Sequence, residues 1–433
     1  MSVLSKSLIH IIGLGVSAPL ELSNKVKATL SSADVIIGSK RQLQLLSNTF
    51  DIDHKQSKVL PKLDQLRDFI HQHQHQHQHQ HQYQGIVVLA SGDPLYYGIG
   101  RWCKQQFGMD KCRFYPAISS IQAACHLLGL SLQDVNVLSL HGRSLEKIRT
   151  QLKNNTTLLV LTDSYSSPRV LAEECRAAGF EQSILSVCEN LGMPQQSVRH
   201  FSVAELFSDH QYKIDPLHIT IIQVKGHGGI LPEFPGIPDI HFVTGKEPGK
   251  GMISKREVRL TILSLLQPAG GDIIWDIGAG CGSVAVELAY WNEKTTIYAI
   301  DYHTQRLHYL NVNCQRFGVS HNVRVIEGRA PNILSSLPLP HKVFIGGSDG
   351  ELSRLLPLIW QQLPVDGIVV VSAVIESSRQ QLVEFAETLY DNQVQSVEIS
   401  VNRGVLQQRQ LSYQAKQPVT IFAFTKIDHR DKQ

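Results

Sequence analysis

One stretch of this chain restricts its fold more than any other: Ile273-Ile274-Trp275-Asp276-Ile277-Gly278-Ala279-Gly280-Cys281-Gly282-Ser283-Val284-Ala285-Val286-Glu287-Leu288. A short apolar run reads as a buried strand, three glycines follow at alternate positions, and the apolar pattern then takes on a helical period. Glycine suits such a turn because it accepts positive φ and lets a ligand lie against bare backbone. The next helix then aims its free N–H groups and dipole at that ligand. A second apolar run, Thr296-Ile297-Tyr298-Ala299-Ile300, ends in Asp301. In a doubly wound sheet, a carboxylate at the tip of the second strand is placed to accept both hydroxyls of a ribose. A dinucleotide fingerprint would need glycine where Val284 stands, to admit a pyrophosphate. The pattern therefore favours S-adenosylmethionine over NAD, with an ordinary helix-capping turn as the alternative.

The chain has 433 residues, enough for two or three domains. Its formal net charge of +3, with 18% charged residues, creates no field that would argue for nucleic acid or membrane lipid. The first twenty residues lack the regions of a signal peptide, and no apolar run reaches membrane-spanning length, so a cytoplasmic protein is expected. Seven cysteines without a C-x-x-C pair read as reduced, mostly buried thiols, and no metal site is expected.

In order along the chain, Leu8 to Gly15 is a strand running into a glycine turn, and strands follow at Asp34–Ser39, Gly85–Ser91, Lys111–Ala117 and Val135–Leu140. Between them His71 to Gln82 is a strict His-Gln alternation, expected to be a disordered surface loop. Two loops, Ser91 to Gly100 and Phe114 to Ile121, fall at the carboxyl edge of the sheet, where open α/β sheets bind ligands. Ser119 and Ser120 suit either a helix cap or a cofactor contact. Further strands are expected at Leu158–Leu161, Ser183–Cys188 and His218–Val224, completing a first domain over 1–228. The glycines and prolines between Gly226 and Pro238 mark a linker, placed at 229–243.

The second domain, 244–433, opens with a basic, glycine-rich segment and a helix whose expected cap is Ser254, with Glu257 completing a capping box. Strands at Val323–Ile326, Lys342–Ile345, Ile368–Val371, Val394–Val401 and Val419–Thr425 bring its count to seven. Gly346-Gly347-Ser348-Asp349-Gly350 follows the fourth, with no N-P-P-Y or D-P-P-Y motif of nucleobase methylation.

These residues resemble two known families. Ile12-Gly13-Leu14-Gly15, the Ala90 to Gly100 stretch with Gly92-Asp93-Pro94, Pro116 to Ser120, Ser139 to Arg143 and Cys188 to Gly192 resemble the tetrapyrrole methylases. From Gly236 through Lys255 to Arg259 and the glycine turn to Ser348, the chain is similar to the class I, decarboxylating methyltransferases that act on the same kind of macrocycle in cobalamin biosynthesis. The resemblance implies an α/β fold: a two-part tetrapyrrole methylase domain followed by a seven-stranded, Rossmann-like class I domain. It also implies two S-adenosylmethionine sites, methylation of carbons 5 and 15 of a precorrin, and loss of carbon dioxide from the ring C acetate. By position it puts Gly15, Gly92, Asp93, Ser119 and Ser120 at the first cofactor site. Ser254, Gly278, Gly280, Gly282, Asp301 and Ala330 fall at the second, with Glu327 or backbone near the adenine amine.

Such chemistry asks little of acid or base residues, so none is assigned. The substrate's many carboxylates call for cations, with Arg143 as the candidate in the first domain and Lys246, Arg256, Arg259 and Arg329 in the second. A small-molecule tetrapyrrole is the expected partner, with no nucleic acid or membrane, in a homo-oligomer. The rival readings are an RNA or protein methyltransferase, disfavoured for RNA by the small charge, and a non-catalytic sensor.

Overall fold

The computed structural model describes residues 8–52, 56–76, 85–208, 212–390 and 393–428. The chain forms two compact units, the first comprising Met1–His141, Asn154–Arg176 and Phe180–Gly226, the second Gly142–Lys153, Ala177–Gly179 and His227–Gln433.

Among the described residues the first unit holds ten strands. β1 (Ile9–Gly13), β2 (Val35–Gly38), β3 (Gln56–Val59), β4 (Ile86–Ala90) and β5 (Cys112–Tyr115) form a parallel sheet in the order β3-β2-β4-β1-β5. The central strands read IHIIG, VIIG and IVVLA, near-continuous apolar runs suited to a sheet covered on both faces. One face packs Ile9, Ile11, Val35, Ile37 and Val88 against Cys103 and Phe107. The other packs Ile12, Ile36, Val87 and Leu89 against Leu30 and Leu46.

A second sheet contains β6 (Val135–Ser139), β7 (Thr157–Leu161), β8 (Ile184–Glu189), β9 (Ser197–Ser202) and β10 (His218–Gln223), ordered β6-β7-β10-β8-β9. Its β6-β7 pair is parallel and the other pairs are antiparallel. β3 and β9 escape a reading of the sequence because both are edge strands. Their QSKV and SVRHFS sequences need not bury two faces.

The His-Gln alternation differs from the expected loop in its first half. Residues 71–76 continue the helix Leu63–Gln76, anchored by buried Leu66 and Ile70. The His71 ring lies 5.3 Å from Phe107 and the His73 ring 5.7 Å from Phe69. The helical period of the preceding residues thus carries into the repeat, and Gln74 is buried. Residues 77–82 lie outside the described residues.

The second unit is built on β11 (Ile273–Ile277), β12 (Thr296–Asp301), β13 (Val323–Glu327), β14 (Lys342–Ile345), β15 (Ile368–Ala373), β16 (Val394–Ile399), β17 (Asn402–Gln407), β18 (Gln410–Ala415) and β19 (Val419–Thr425). Seven of these make one sheet in the order β13-β12-β11-β14-β15-β19-β16, with β19 antiparallel to both neighbours. Chain order reverses between β11 and β14, so the loops after these strands part and leave a crevice at their carboxyl ends. β17 and β18 form a separate hairpin. It is hard to read from sequence: most of its residues are exposed, and its turn places Gln408 and Arg409 at φ 48° and 64°, where Asn-Gly would be the usual signal.

Inside this unit Arg259 is fully buried in an ionic network. Its Nε donates to Glu287 Oε2 at 2.5 Å, and one terminal nitrogen donates to Asp239 Oδ1 at 3.2 Å and to the Ser254 carbonyl at 2.6 Å. The other terminal nitrogen donates to the Ile237 carbonyl. Arg259 is therefore not available to a substrate, contrary to the expectation from charge alone. Ser254 does not take its expected capping role. The helix runs Arg256–Leu266, and its N-cap Lys255 makes no side-chain capping bond. Glu257, the expected partner in the capping box, accepts from Arg403 at 2.8 Å instead. Within the expected linker, Ile237 and Phe242 are buried, and Asp239 joins the Arg259 network.

Arg259→Ala would leave the buried Glu287 without its cation and Asp239 with Arg403 only. Denaturant unfolding should show a loss of about 3–5 kcal/mol, whereas the exposed Arg256→Ala should cost under about 1 kcal/mol.

Candidate functional site

A cavity of about 440 Å³ opens at the carboxyl ends of the second unit's sheet. Its floor is the turn after β11. Gly278, Gly280 and Gly282 have φ of 71°, 59° and 79°, the left-handed region that glycine enters without strain. Each has a different role. A Cβ on Gly278 would lie 2.5 Å from the Gly347 carbonyl oxygen, so this glycine lets the loops after β11 and β14 touch. A Cβ on Gly282 would meet the Leu310 side chain at 2.7 Å, and Gly282 does not line the cavity; it begins the helix Ser283–Trp291 and allows it to pack. Gly280 alone is open, with no atom nearer than 3.7 Å to an added Cβ.

Two carboxylates hold this turn. Asp301 Oδ2 accepts from the Gly280 amide at 2.9 Å, and Oδ1 accepts from the His303 amide at 2.9 Å. Asp276, fully buried at the end of β11, accepts from the Ala285 amide in the first turn of the helix at 3.0 Å through Oδ2. Its Oδ1 has no partner among the described residues although it is buried and its residue lines the cavity. Burial pushes the Asp276 carboxyl up to about 7; the charge on Asp301 acts in the same direction, and the Ala285 amide opposes it. Asn313 supports the turn from behind, its Nδ2 donating to the Cys281 carbonyl at 2.9 Å and its Oδ1 accepting from the Val243 amide at 2.8 Å.

Of the residues expected at this site, Ser254, Gly278, Gly280, Asp301, Ala330 and Arg329 line the cavity together. Lys246 and Arg256 do not, and Glu327 turns aside to accept from Thr304 Oγ1 at 3.1 Å. Met252, Lys255, Tyr302, Arg306, Phe344 and Asp349 line it without having been singled out. Their sequence signal was position: each lies in a segment leading into the crevice or at its strand ends. Lys255 Nζ donates to the Gly249 carbonyl at 2.7 Å, and burial is the main cause of its lowered pKa.

In the first unit three loops meet at the carboxyl ends of β1, β4 and β5. A Cβ on Gly13 would lie 2.3 Å from the Gly92 carbonyl oxygen, one on Gly92 would lie 3.0 Å from Ser119 Cα, and one on Gly15 would lie 3.8 Å from Ala117 Cβ. The expected residues Gly15, Gly92 and Ser119 are thus brought together through backbone. The side chains of Asp93 and Ser119 serve local structure: Asp93 Oδ1 accepts from Leu95 and Tyr96 amides at 2.8 and 3.0 Å, and Ser119 caps the helix Ser120–Leu127 in a full capping box with Gln122. Ser120 is the first helical residue. Arg143, the expected substrate cation of this site, instead falls in Gly142–Lys153, which packs with the second unit, and its charge acts on Glu293 and His321.

Asp276 gives the second site a pH signature. Its folded pKa lies above the unfolded 3.8, so the native state holds the extra proton and this group's contribution to stability is lost as pH rises through about 7. Asp276→Asn should therefore gain stability relative to the unaltered chain by roughly 3 kcal/mol between pH 5 and 8 in denaturant titrations.

A family model described as tetrapyrrole (corrin/porphyrin) methylases matches residues 8–206, and one described as a precorrin methyltransferase domain matches 248–426. A Sinorhizobium protein named precorrin-6Y C(5,15)-methyltransferase (decarboxylating) is 32% identical over 366 residues, 84% of each chain. A Salmonella typhimurium cobalt-precorrin-7 C(5)-methyltransferase is 28% identical over 208 residues, 47% of this chain and 95% of the relative. The crystal structure of the C-terminal domain of a precorrin-6Y C5,15-methyltransferase from Rhodobacter capsulatus is 28% identical, covers 44% of this chain and 98% of that one, and gives a TM-score of 0.40. With that identity to the Sinorhizobium protein across most of both lengths, the chain belongs to the decarboxylating precorrin-6Y C(5,15)-methyltransferase family.

Proposed function

We propose that this chain uses S-adenosylmethionine at two sites, one in each unit, to methylate a precorrin at carbons 5 and 15 and to remove the ring C acetate carboxylate as carbon dioxide. The first unit takes carbon 5, and the second takes carbon 15 with the decarboxylation. The observation that carries the reading is the unpartnered, buried Asp276 Oδ1 in a cavity where the neighbouring strand ends in Asp301. It suits a cationic ligand that also bears ribose hydroxyls.

When bound, S-adenosylmethionine supplies an electrophilic methyl on a sulfonium centre. Asp301 retains lone pairs for hydroxyl donors beyond the two amides it already holds. Asp276, which burial keeps protonated up to about pH 7, would supply the opposing charge on giving up that proton beside a bound sulfonium, and the bare Gly280 gives room for close approach. A cavity of about 440 Å³ encloses a nucleoside with an amino-acid tail, so a macrocycle would offer only its edge at the mouth. There Arg329 and Lys255 are placed for carboxylates.

Carbons of a reduced tetrapyrrole are enamine-like. One attacks the methyl, a carbon–carbon bond forms, and the sulfur–carbon bond breaks to leave a neutral thioether. At carbon 15 the cationic conjugated macrocycle then accepts the electron pair released as the acetate carboxylate leaves as carbon dioxide; at carbon 5, where no carboxylate leaves, the cation returns to neutrality by losing a proton to solvent. The protein's part is alignment and exclusion of water, which needs no general base on the chain.

Calorimetric titration of S-adenosylmethionine should show two sites in the full chain and one in Gly280→Ala, whose methyl points into open cavity. Mass spectrometry with reduced precorrin-6 should show a gain of two methyls and loss of carbon dioxide. A single site in the unaltered chain, or an unchanged macrocycle, would refute the proposal.

A further inference from the structure

Three successive loops at the mouth of the second unit's cavity are fastened by one side chain. Asp349, after β14, accepts through Oδ2 from the hydroxyl of Tyr302, after β12, at 2.6 Å. The same oxygen lies 3.3 Å from a terminal nitrogen of Arg329, after β13, and the Arg329 guanidinium sits 5.4 Å from the centre of the Tyr302 ring. All three residues line the cavity.

We infer that Asp349 is a specificity-determining residue that stands in for a substrate carboxylate: it holds Arg329 at the mouth until a carboxylate of the incoming tetrapyrrole displaces it. This rests on the reading above that the second unit takes a polycarboxylated macrocycle. The ion pair is built to be exchanged. It is single-toothed, both side chains are about half exposed, and such pairs are weak. A guanidinium prefers two parallel bonds to one carboxylate, and Asp349 supplies one oxygen. A ligand carboxylate approaching in the plane of the fork can therefore replace it with a better partner.

The backbone also favours release. Asp349 has φ 52°, a left-handed conformation uncommon for a residue with a side chain. It is followed by Gly350, whose added Cβ would meet nothing within 4 Å. Gly347 packs against the turn after β11, and beyond it the loop has open space at Gly350. While Asp349 remains in place, its own charge repels any other carboxylate at the mouth. Ligands that cannot compete for Arg329 gain nothing by approaching.

The test is fluorescence titration of uroporphyrin III, a tetrapyrrole bearing acetate and propionate side chains, into the full chain saturated with S-adenosylhomocysteine. Asn tolerates the left-handed conformation, so Asp349→Asn should fold. It should tighten uroporphyrin binding by roughly two- to fivefold, the range set by an exposed ion pair. Arg329→Gln should weaken binding, and in that background Asp349→Asn should add nothing. Weaker or unaltered binding in Asp349→Asn, a gain that persists without Arg329, or no uroporphyrin binding by the unaltered chain would overturn the inference. The readout requires no turnover, so it is judged separately from the precorrin mass assay.

Discussion

The second unit depends on burying one guanidinium. Arg259 is surrounded by protein, and taking a charge out of water is costly unless its donors are met. Here two carboxylates and two carbonyls meet them, reaching it from three segments. The planar fork of arginine is what allows this; lysine offers a point charge and could not span the same partners. Glu287, on the helix after the glycine turn, also accepts from the Gly236 and Ile237 amides. Asp239 passes the network on to Arg403 of the hairpin at 3.0 Å. A residue that resembles a substrate cation in sequence is thus what draws the Pro-rich entry segment, the helix Arg256–Leu266 and the helix Ser283–Trp291 into register.

The cavity follows from that arrangement. With Ser254 fixed through its carbonyl, the preceding Met252 and Ile253 form one wall, and the glycine turn forms the floor. The turn is held by Asp301 at Gly280, by Asp276 at the helix start and by Asn313 at Cys281. Only one of its three glycines faces open space. The others let backbone lie against backbone or against Leu310. Glycine is thus required for packing at two positions and for ligand approach at the third.

How much of this could be read from sequence depends on where each residue gets its partners. Strands β1, β2, β4, β11, β12, β14 and β15 were legible because burial on both faces demands continuous apolar runs. β3, β9 and the β17–β18 hairpin were not, since edge or exposed strands face no such demand. At the site, Gly280 and Asp301 were legible because a strand-turn-helix fixes their place locally. Arg259 was misread because its partners are distant in sequence, and the grouping of Arg143 with the second unit leaves no local signal. Asp93 and Ser119 each had a local partner two to three residues away, and local geometry took their side chains. Tyr302, Arg306 and Asp349 carry no motif; they matter because successive loops of a parallel sheet end at the same edge.

That last property explains why so little acid–base machinery is needed. In a parallel sheet every strand delivers its following loop to one edge, so contacts from β11 to β15 converge without any special motif. A methyl transfer to an enamine-like carbon needs the two reactants aligned and water kept out. Those demands are met by shape: a bare glycine, a buried countercharge and loops that close at the mouth. Charge is used sparingly and in pairs, as Asp276 beside Asp301 and Arg329 beside Asp349. The first pair sets the field inside the cavity, where burial magnifies it. The second lies in water, where a pair is weak enough to be exchanged for a ligand's own charge.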